Sequence, residues 1–259
     1  MENIQDWKTT DINVDSLWLI DKRNSTGKHE NTYHGNFIPQ IPNQLIRRYT
    51  KENDLILELF SGSGTTLFEC ENLNRNYIGF DINSEMNKIV NQKMQNTNIK
   101  YCLNCSDVTD EFSFHTNLQN SLLYQKQKEV DFIIAHPPYM DIVKFTDFEG
   151  DLSNIADVDE FISKIVITFR NALTYLKKNK YFAIVMGDVY KKSEVVPLGF
   201  YVMNAIKNNF KVKTKGIIVK NIEGNRGKLG VQNIWKYRAL KSDYFLFKHE
   251  YIFIFKKEF

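Results

Sequence analysis

The chain has 259 residues, 42% of them apolar and 25% charged, enough for the core of one large α/β domain and too few for two full domains. No run of about 18 apolar residues appears, which excludes a simple transmembrane helix. The polar, acidic opening MENIQDWKTTDIN resembles neither a secretory signal nor a transit peptide, so a soluble cytoplasmic protein is expected.

The net charge of +3 is unevenly spread. From Lys207 onward 13 Lys and Arg face 4 Asp and Glu, whereas residues 1–206 hold 21 basic and 27 acidic side chains. A basic C-terminal segment on an acidic body suits a surface that meets a polyanion, although a solvated lysine-rich face has the same composition. Three cysteines fit a reducing compartment. Cys102 and Cys105 form a C-x-x-C, but no second pair or His-x-His cluster lies near it. They read as small thiols on a strand, and no metal site is expected.

From Leu55 onward strand and helix patterns alternate. Leu55–Phe60 is a short apolar run closed by Ser-Gly-Ser-Gly, the pattern of a buried parallel strand entering a tight turn. A helix over Thr65–Asn74 follows, then a strand over Tyr77–Asp81 and a helix to about Gln95 capped by Asn83. Lys100–Cys105 is a third strand, and residues 109–128 are an irregular or helical connection. Val130–Ala135 is a fourth strand, stopped by Pro137 and Pro138. Asp157 and Glu160 resemble a capping pair, opening a helix whose apolar positions run from Val158 to Leu176 at helical spacing. Tyr181–Met186 is a fifth strand and Pro197–Asn208 a helix; Ile217–Lys220 and Tyr251–Phe255 complete the set as an antiparallel pair at one edge. Strands separated by helices imply a mostly parallel sheet covered on both faces, with ligands beyond the strand carboxyl ends. The turns after Phe60, Asp81, Asp107 and Ala135 all lie there.

Gly62 and Gly64 sit between a strand and a helix, where they permit positive φ and close approach of a ligand to the backbone. The loop is neither a full G-x-G-x-x-G nor a Walker loop, since no Gly-Lys-Ser/Thr follows, and a phosphate cradle is disfavoured. Asp81, about twenty residues on, is placed to accept both hydroxyls of a ribose. On these residues alone a nucleotide, a dinucleotide and S-adenosylmethionine all remain open, as does a plain turn followed by a strand-end Asp.

In longer stretches the chain resembles the DNA amino-methyltransferases, whose glycine motif reads Asp-Pro-Phe-x-Gly-Ser-Gly-Thr-Thr. Glu58-Leu59-Phe60-Ser61-Gly62-Ser63-Gly64-Thr65-Thr66 occupies that frame, with Glu for Asp and Leu for Pro. The segment from His34 to Pro42 looks like the one that packs on the methionine end of the cofactor, with Phe37, Ile38 and Pro39 as contacts. Arg75–Asn83 matches the ribose-binding stretch through Asp81 and Ile82, and Asp107 sits where the family binds the adenine amino group. Ala135-His136-Pro137-Pro138-Tyr139 stands where the family carries Asp, Asn or Ser followed by Pro-Pro and an aromatic residue. The match runs from about Leu17 to Lys256.

The resemblance implies a Rossmann-like class I methyltransferase fold. Its sheet would be mostly parallel and seven-stranded, with helices on both faces and an antiparallel last strand, and a single catalytic domain would span residues 1–259. It implies S-adenosyl-L-methionine as cofactor, bound by Phe37, Ile38, Pro39, Glu58, Phe60, Gly62, Ser63, Gly64, Thr65, Thr66, Asp81, Ile82 and Asp107. The reaction implied is methyl transfer to adenine N6 or cytosine N4 of a base flipped from duplex DNA. Restriction–modification is the implied setting, in which a cognate restriction component would be a further partner.

The exocyclic amine is a poor nucleophile because its lone pair is delocalised into the ring. Acceptors for its N–H groups favour pyramidalisation and aim the lone pair at the methyl group. His136 would supply one acceptor from its side chain and another from its carbonyl; Pro137 and Pro138 stiffen the turn, and Tyr139 stacks on the base. Only a neutral imidazole offers an acceptor nitrogen, so transfer is expected to fall on acidification through the ordinary histidine range. Residues 221–243 form a candidate target-recognition loop. There Arg226, Lys228, Trp235, Lys236, Tyr237 and Arg238 interleave basic and aromatic side chains suited to phosphates and bases. Methylation of RNA or of a protein amide, and a catalytically inactive cofactor-binding regulator, are the alternatives.

Overall fold

A computed structural model describes residues 7–29, 35–222 and 232–258. In chain order the elements are β1 (Leu17–Trp18), α1 (Gln40–Tyr49), β2 (Leu55–Glu58), α2 (Thr65–Asn72), β3 (Asn76–Asp81), α3 (Ser84–Lys93), β4 (Tyr101–Cys105), α4 (Glu111–Gln125) and β5 (Val130–Ala135). There follow α5 (Val158–Leu173), β6 (Leu176–Met186), β7 (Val189–Lys191), β8 (Glu194–Val196), α6 (Leu198–Asn209), β9 (Val212–Asn221), α7 (Gln232–Lys241) and β10 (His249–Lys257). Among the described residues no helix is long and apolar enough to cross a membrane.

The main sheet has the order β1-β9-β10-β6-β5-β2-β3-β4. Strands β6, β5, β2, β3 and β4 are mutually parallel, and β10 runs antiparallel between β6 and β9. The seven expected strands are present, with an eighth, the two-residue β1, added parallel to β9. The β9–β10 pair is therefore not at the edge: β1 covers β9, as Leu17 and Trp18 pair with Val219 and Lys220.

Alternation along the strands sends side chains to two separate cores. Leu55 and Leu57 pack on one face beneath α4, α5 and α6, while Ile56 packs on the other beneath α1, α2 and α3. Such two-sided burial is why these strands are continuously apolar rather than alternating.

Local signals account for most boundaries. The Asn83 side chain accepts from the N–H groups of Glu85 and Met86 at the start of α3, and Asp157 accepts from Glu160 N–H (2.9 Å) at the start of α5. The ambiguous stretch 109–128 contains α4, whose Phe114, Leu118 and Leu122 are buried at four-residue spacing behind an Asp110 cap. Leu176 does not continue α5 as its spacing suggested. It opens β6 opposite Val130, where Lys177 and Lys180 reach back to the Asp131 carboxylate at 2.9 and 3.1 Å. Strand β9 is longer than its apolar run because β10 offers it a backbone partner along its whole length.

Removing the Asp157 cap by Asp157→Ala is expected to lower the unfolding free energy by about 1 kcal/mol. Chemical denaturation at constant m-value checks this, and Asp157→Ser should recover most of the loss.

Candidate active site

Strands β2 and β5 are neighbours, with Glu58 in register with Ile134. After β2 the chain goes to α2 on one face, and after β5 it goes to α5 on the other. The gap at this switch point is where an open α/β sheet holds its ligand. A cleft of about 190 Å³ lies there, more than tenfold the roughly 10–15 Å³ that one water needs. The turns after β2, β3, β4 and β5 all contribute to its wall.

The glycine loop is stitched to the end of β3. Ser61 N–H donates to Phe80 O at 2.8 Å, and Gly62 N–H donates to Asp81 Oδ2 at 2.7 Å. Asn83 N–H donates to Asp81 Oδ1 at 2.8 Å, so each oxygen of Asp81 is fixed by the backbone and keeps a lone pair for a ligand. Burial raises the pKa of Asp81, against the opposing effect of these two backbone donors. Asp107 is held by Thr109 N–H at 2.7 Å and by the Thr109 hydroxyl at 3.0 Å.

Glu58 lies at the cleft floor, almost wholly buried, and accepts from the Thr66 hydroxyl and the Tyr77 hydroxyl. Burial pushes its pKa up to about 8, despite the lowering effect of those two donors.

On the β5 side, His136, Pro137, Pro138 and Tyr139 all line the cleft. The ring of Phe37, from the segment before α1, meets the His136 ring edge-on with centroids 4.9 Å apart. The two halves of the expected site are thus in contact. Tyr139 packs against Gly187, where a Cβ would lie 2.8 Å from a ring carbon, and only glycine leaves that ring its place. His136 Nε2 lies 3.1 Å from the Tyr139 hydroxyl, which donates to Glu250 Oε2 at 3.1 Å. Burial lowers the pKa of His136 to about 4, outweighing the nearby Glu250 carboxylate. The imidazole is therefore neutral throughout the ordinary histidine range. The acidification expected from sequence is moved to lower pH, because the ring is desolvated in the cleft wall.

Of the expected cofactor residues, Phe37, Glu58, Phe60, Gly62, Ser63, Thr65, Asp81, Ile82 and Asp107 line the cleft. Four do not. Ile38 packs into the core beneath α1, and Pro39 begins that helix. Gly64 has φ 82° at the start of α2 and faces Val90, while Thr66 is buried with its hydroxyl on Glu58.

The segment after Pro-Pro-Tyr was not anticipated. Ile142, Val143, Phe145, Thr146, Gly150 and Leu152 close one side of the cleft. Asp151 organises them by accepting from Thr146 N–H (2.9 Å) and Ser153 N–H (2.8 Å). The Asp-x-Ser spacing was its only sequence signal, and that marks a turn rather than a ligand. The start of the segment is tied down by Lys191 Nζ, 2.6 Å from Asp141 Oδ1.

The lining holds the carboxyl groups of Glu58, Asp81, Asp107 and Asp151 and, among the described residues, no Lys or Arg. Among the described residues no group of three His, Cys, Asp or Glu could hold a metal. Cys102 and Cys105 are free thiols on β4. In the candidate recognition stretch, Arg226 and Lys228 lie outside the described residues, as does the Trp235 side chain. Lys236, Tyr237 and Arg238 are exposed on α7. That stretch leaves and rejoins the sheet at the cleft end, since His249 pairs with Asn221, and Tyr251 pairs with Met186 beside Gly187.

Comparisons with known proteins agree with this geometry. Residues 1–92 match the family model for DNA methylases of the N6/N4 type, a span that contains the glycine loop and Asp81 and ends before His136. The Type II methyltransferase M.MjaII of Methanocaldococcus jannaschii is 38% identical over 85 residues, which is 31% of this chain and 16% of that protein. The chain thus spans under a fifth of that relative's length. TrmN from Thermus thermophilus superimposes with a TM-score of 0.53 at 14% identity, covering 86% of this chain and 50% of that one. A SAM-dependent methyltransferase from Methanosarcina mazei gives 0.52 at 13% identity, covering 83% and 97%. The likeness to solved structures establishes the Rossmann-like methyltransferase fold.

The raised pKa of Glu58 has a sign. A carboxyl that binds its proton more tightly when folded adds stability below its unfolded value of 4.5, and that contribution is lost as pH rises through about 8. Relative to Glu58→Gln, the wild-type chain is expected to lose unfolding free energy between pH 5 and about 8. Parallel denaturation curves across that window measure the difference.

Proposed function

We propose that this chain, a member of the DNA methylase family by its residues 1–92, transfers a methyl group from S-adenosyl-L-methionine to an exocyclic amino group, adenine N6 or cytosine N4, in DNA. The observation that carries this reading is the cleft's charge. Three aspartates, Asp81, Asp107 and Asp151, without a lysine or arginine suit a cationic, hydroxyl-bearing ligand and disfavour a diphosphate, while Glu58, with its pKa raised to about 8, keeps its proton at neutral pH. S-adenosylmethionine, when bound, supplies a methyl group on a positively charged sulfur.

The residues of the chain do the rest. The Asp81 carboxylate, fixed on both oxygens, receives the ribose hydroxyls, and Asp107 receives the adenine amino group. Phe37 and Phe60 supply apolar walls. At the other end, neutral His136 and its backbone carbonyl accept the N–H groups of the target amine. Pro137 and Pro138 hold that carbonyl exposed, and the Tyr139 ring borders the base. No cysteine is among the lining residues, in keeping with direct transfer without a covalent intermediate. The target base reaches the cleft by flipping out of the duplex. Residues 221–243, with Lys236, Tyr237 and Arg238 exposed on α7 and Arg226, Lys228 and Trp235 in the same stretch, contact the DNA backbone. Residues 1–259 act as one catalytic domain, in the cytoplasm, with a cognate restriction component as the further partner of a Type II setting.

Transfer of a labelled methyl group to duplex DNA, RNA and protein in parallel, followed by nucleoside analysis, tests the reading. Label in N6-methyladenine or N4-methylcytosine is expected; label only in RNA or protein would redirect it, and cofactor binding without transfer would leave a regulator. Under the same assay His136→Ala should cost at least about tenfold, the equivalent of one hydrogen bond of ~1.4 kcal/mol. The wild-type kcat/KM should hold from pH 8 to about 5 and fall as His136 protonates near pH 4, since protonation removes its acceptor. Replacing Lys236 and Arg238 by Ala should weaken DNA binding for every sequence and flatten its salt dependence by roughly one unit of log–log slope per lost phosphate contact. Titrations at several salt concentrations measure that slope.

A further inference from the structure

The hydroxyl of Tyr139 has one proton and two neighbours able to take it. Glu250 Oε2 and His136 Nε2 each lie 3.1 Å away. Strand register explains the meeting. Glu250 pairs across the sheet with Lys220, one position beyond the Tyr251–Met186 pair, and so stands level with Gly187, where the Tyr139 ring packs. Lys220 Nζ donates to Glu250 Oε1 at 3.1 Å, and both side chains are buried.

The hydrogen bonds can be satisfied together in one way. A carboxylate in an ion pair has only acceptor positions. Were the Tyr139 proton given to His136, the hydroxyl oxygen and Glu250 Oε2 would face one another through lone pairs, inside the protein and without a donor between them. If the proton goes to Glu250, Tyr139 must accept from His136, and Nε2 carries the hydrogen. A neutral imidazole has a single N–H, so Nδ1 then holds the free lone pair. Among the described residues Nδ1 has no hydrogen-bond partner, and the ring lines the cleft.

We infer that Lys220, Glu250 and Tyr139 form a relay that holds His136 as the Nε2–H tautomer and presents Nδ1 as the acceptor for the substrate's amino hydrogen. Lys220 and Glu250 are positioning residues that never touch the substrate. The part concerning substrate rests on the proposed function; the tautomer does not.

Long-range proton–nitrogen spectra of the labelled, ligand-free chain read the tautomer directly, with His136 identified among five histidines by its loss in His136→Asn. The wild type is expected to show Nε2–H alone. Changing Lys220→Met together with Glu250→Leu removes both charges and strands neither. Tyr139 is then free to donate to Nε2, and the Nδ1–H form should become the major one. Should that variant fail to fold, Tyr139→Phe leaves the ion pair intact and should turn the single tautomer into a mixture. Nδ1–H in the wild type, or a tautomer unmoved by these changes, would overturn the relay. In methyl-transfer assays the double variant should lose kcat roughly tenfold with KM for the cofactor unchanged; a rise in that KM with kcat intact would instead mark a structural role. A chain with the expected tautomer and no methyl transfer to any substrate would sink the proposed function and leave the relay standing.

Discussion

The N–H of Leu59 donates to the carbonyl of Ile134 at 3.2 Å, the last rung between β2 and β5, and past it the two chains part. One goes to a helix on one face of the sheet, the other to a helix on the opposite face, because the strand order reverses between them. The gap they leave is a consequence of that reversal and of nothing more specialised. Residues 59–65 and 136–139 therefore open side by side, and the edge contact of Phe37 with His136 closes the short distance between them. A different neighbour for β5 would separate the glycine loop from Pro-Pro-Tyr however well each was formed.

Charge of opposite sign is concentrated in different parts of the molecule. The cleft carries the carboxylates of Asp81, Asp107 and Asp151, each fixed by hydrogen bonds before any ligand arrives. The basic excess lies after Lys207 and includes exposed Lys236 and Arg238 of α7, on the segment that leaves the sheet at the cleft end. Under the proposed function this arrangement admits a flipped base while its phosphates stay outside, since the cleft aspartates repel the backbone and the basic segment attracts it.

Much of this was legible in the residues. The apolar runs of β2 and β5, the caps at Asn83 and Asp157, and the turns that follow Glu58 and Ala135 are local signals, each spelled within a few residues. Most of the cofactor residues named from the glycine motif and the ribose-binding stretch reach the cleft for the same reason. Ile38, Pro39, Gly64 and Thr66 do not, because a motif preserves neighbours along the chain while a cavity wall takes only the side chains that turn inward. The segment from Ile142 to Leu152 lacks any periodic pattern and becomes part of the site only where its Asp151 turn folds against the mouth.

The sequence by itself determined the strand–helix alternation, the two chemical turns and the placing of Glu58, Asp81 and Asp107 at strand ends, since all of these follow from short-range sterics, propensity and side-chain chemistry. Only the tertiary structure decided the protonation of His136 and the company it keeps. Its desolvation depends on what packs around it, and its Tyr139–Glu250–Lys220 chain joins residues more than eighty positions apart through strand register. No pattern within one segment encodes a hydrogen bond to another, because the pairing of β10 with β6 and β9 exists only once the sheet has formed.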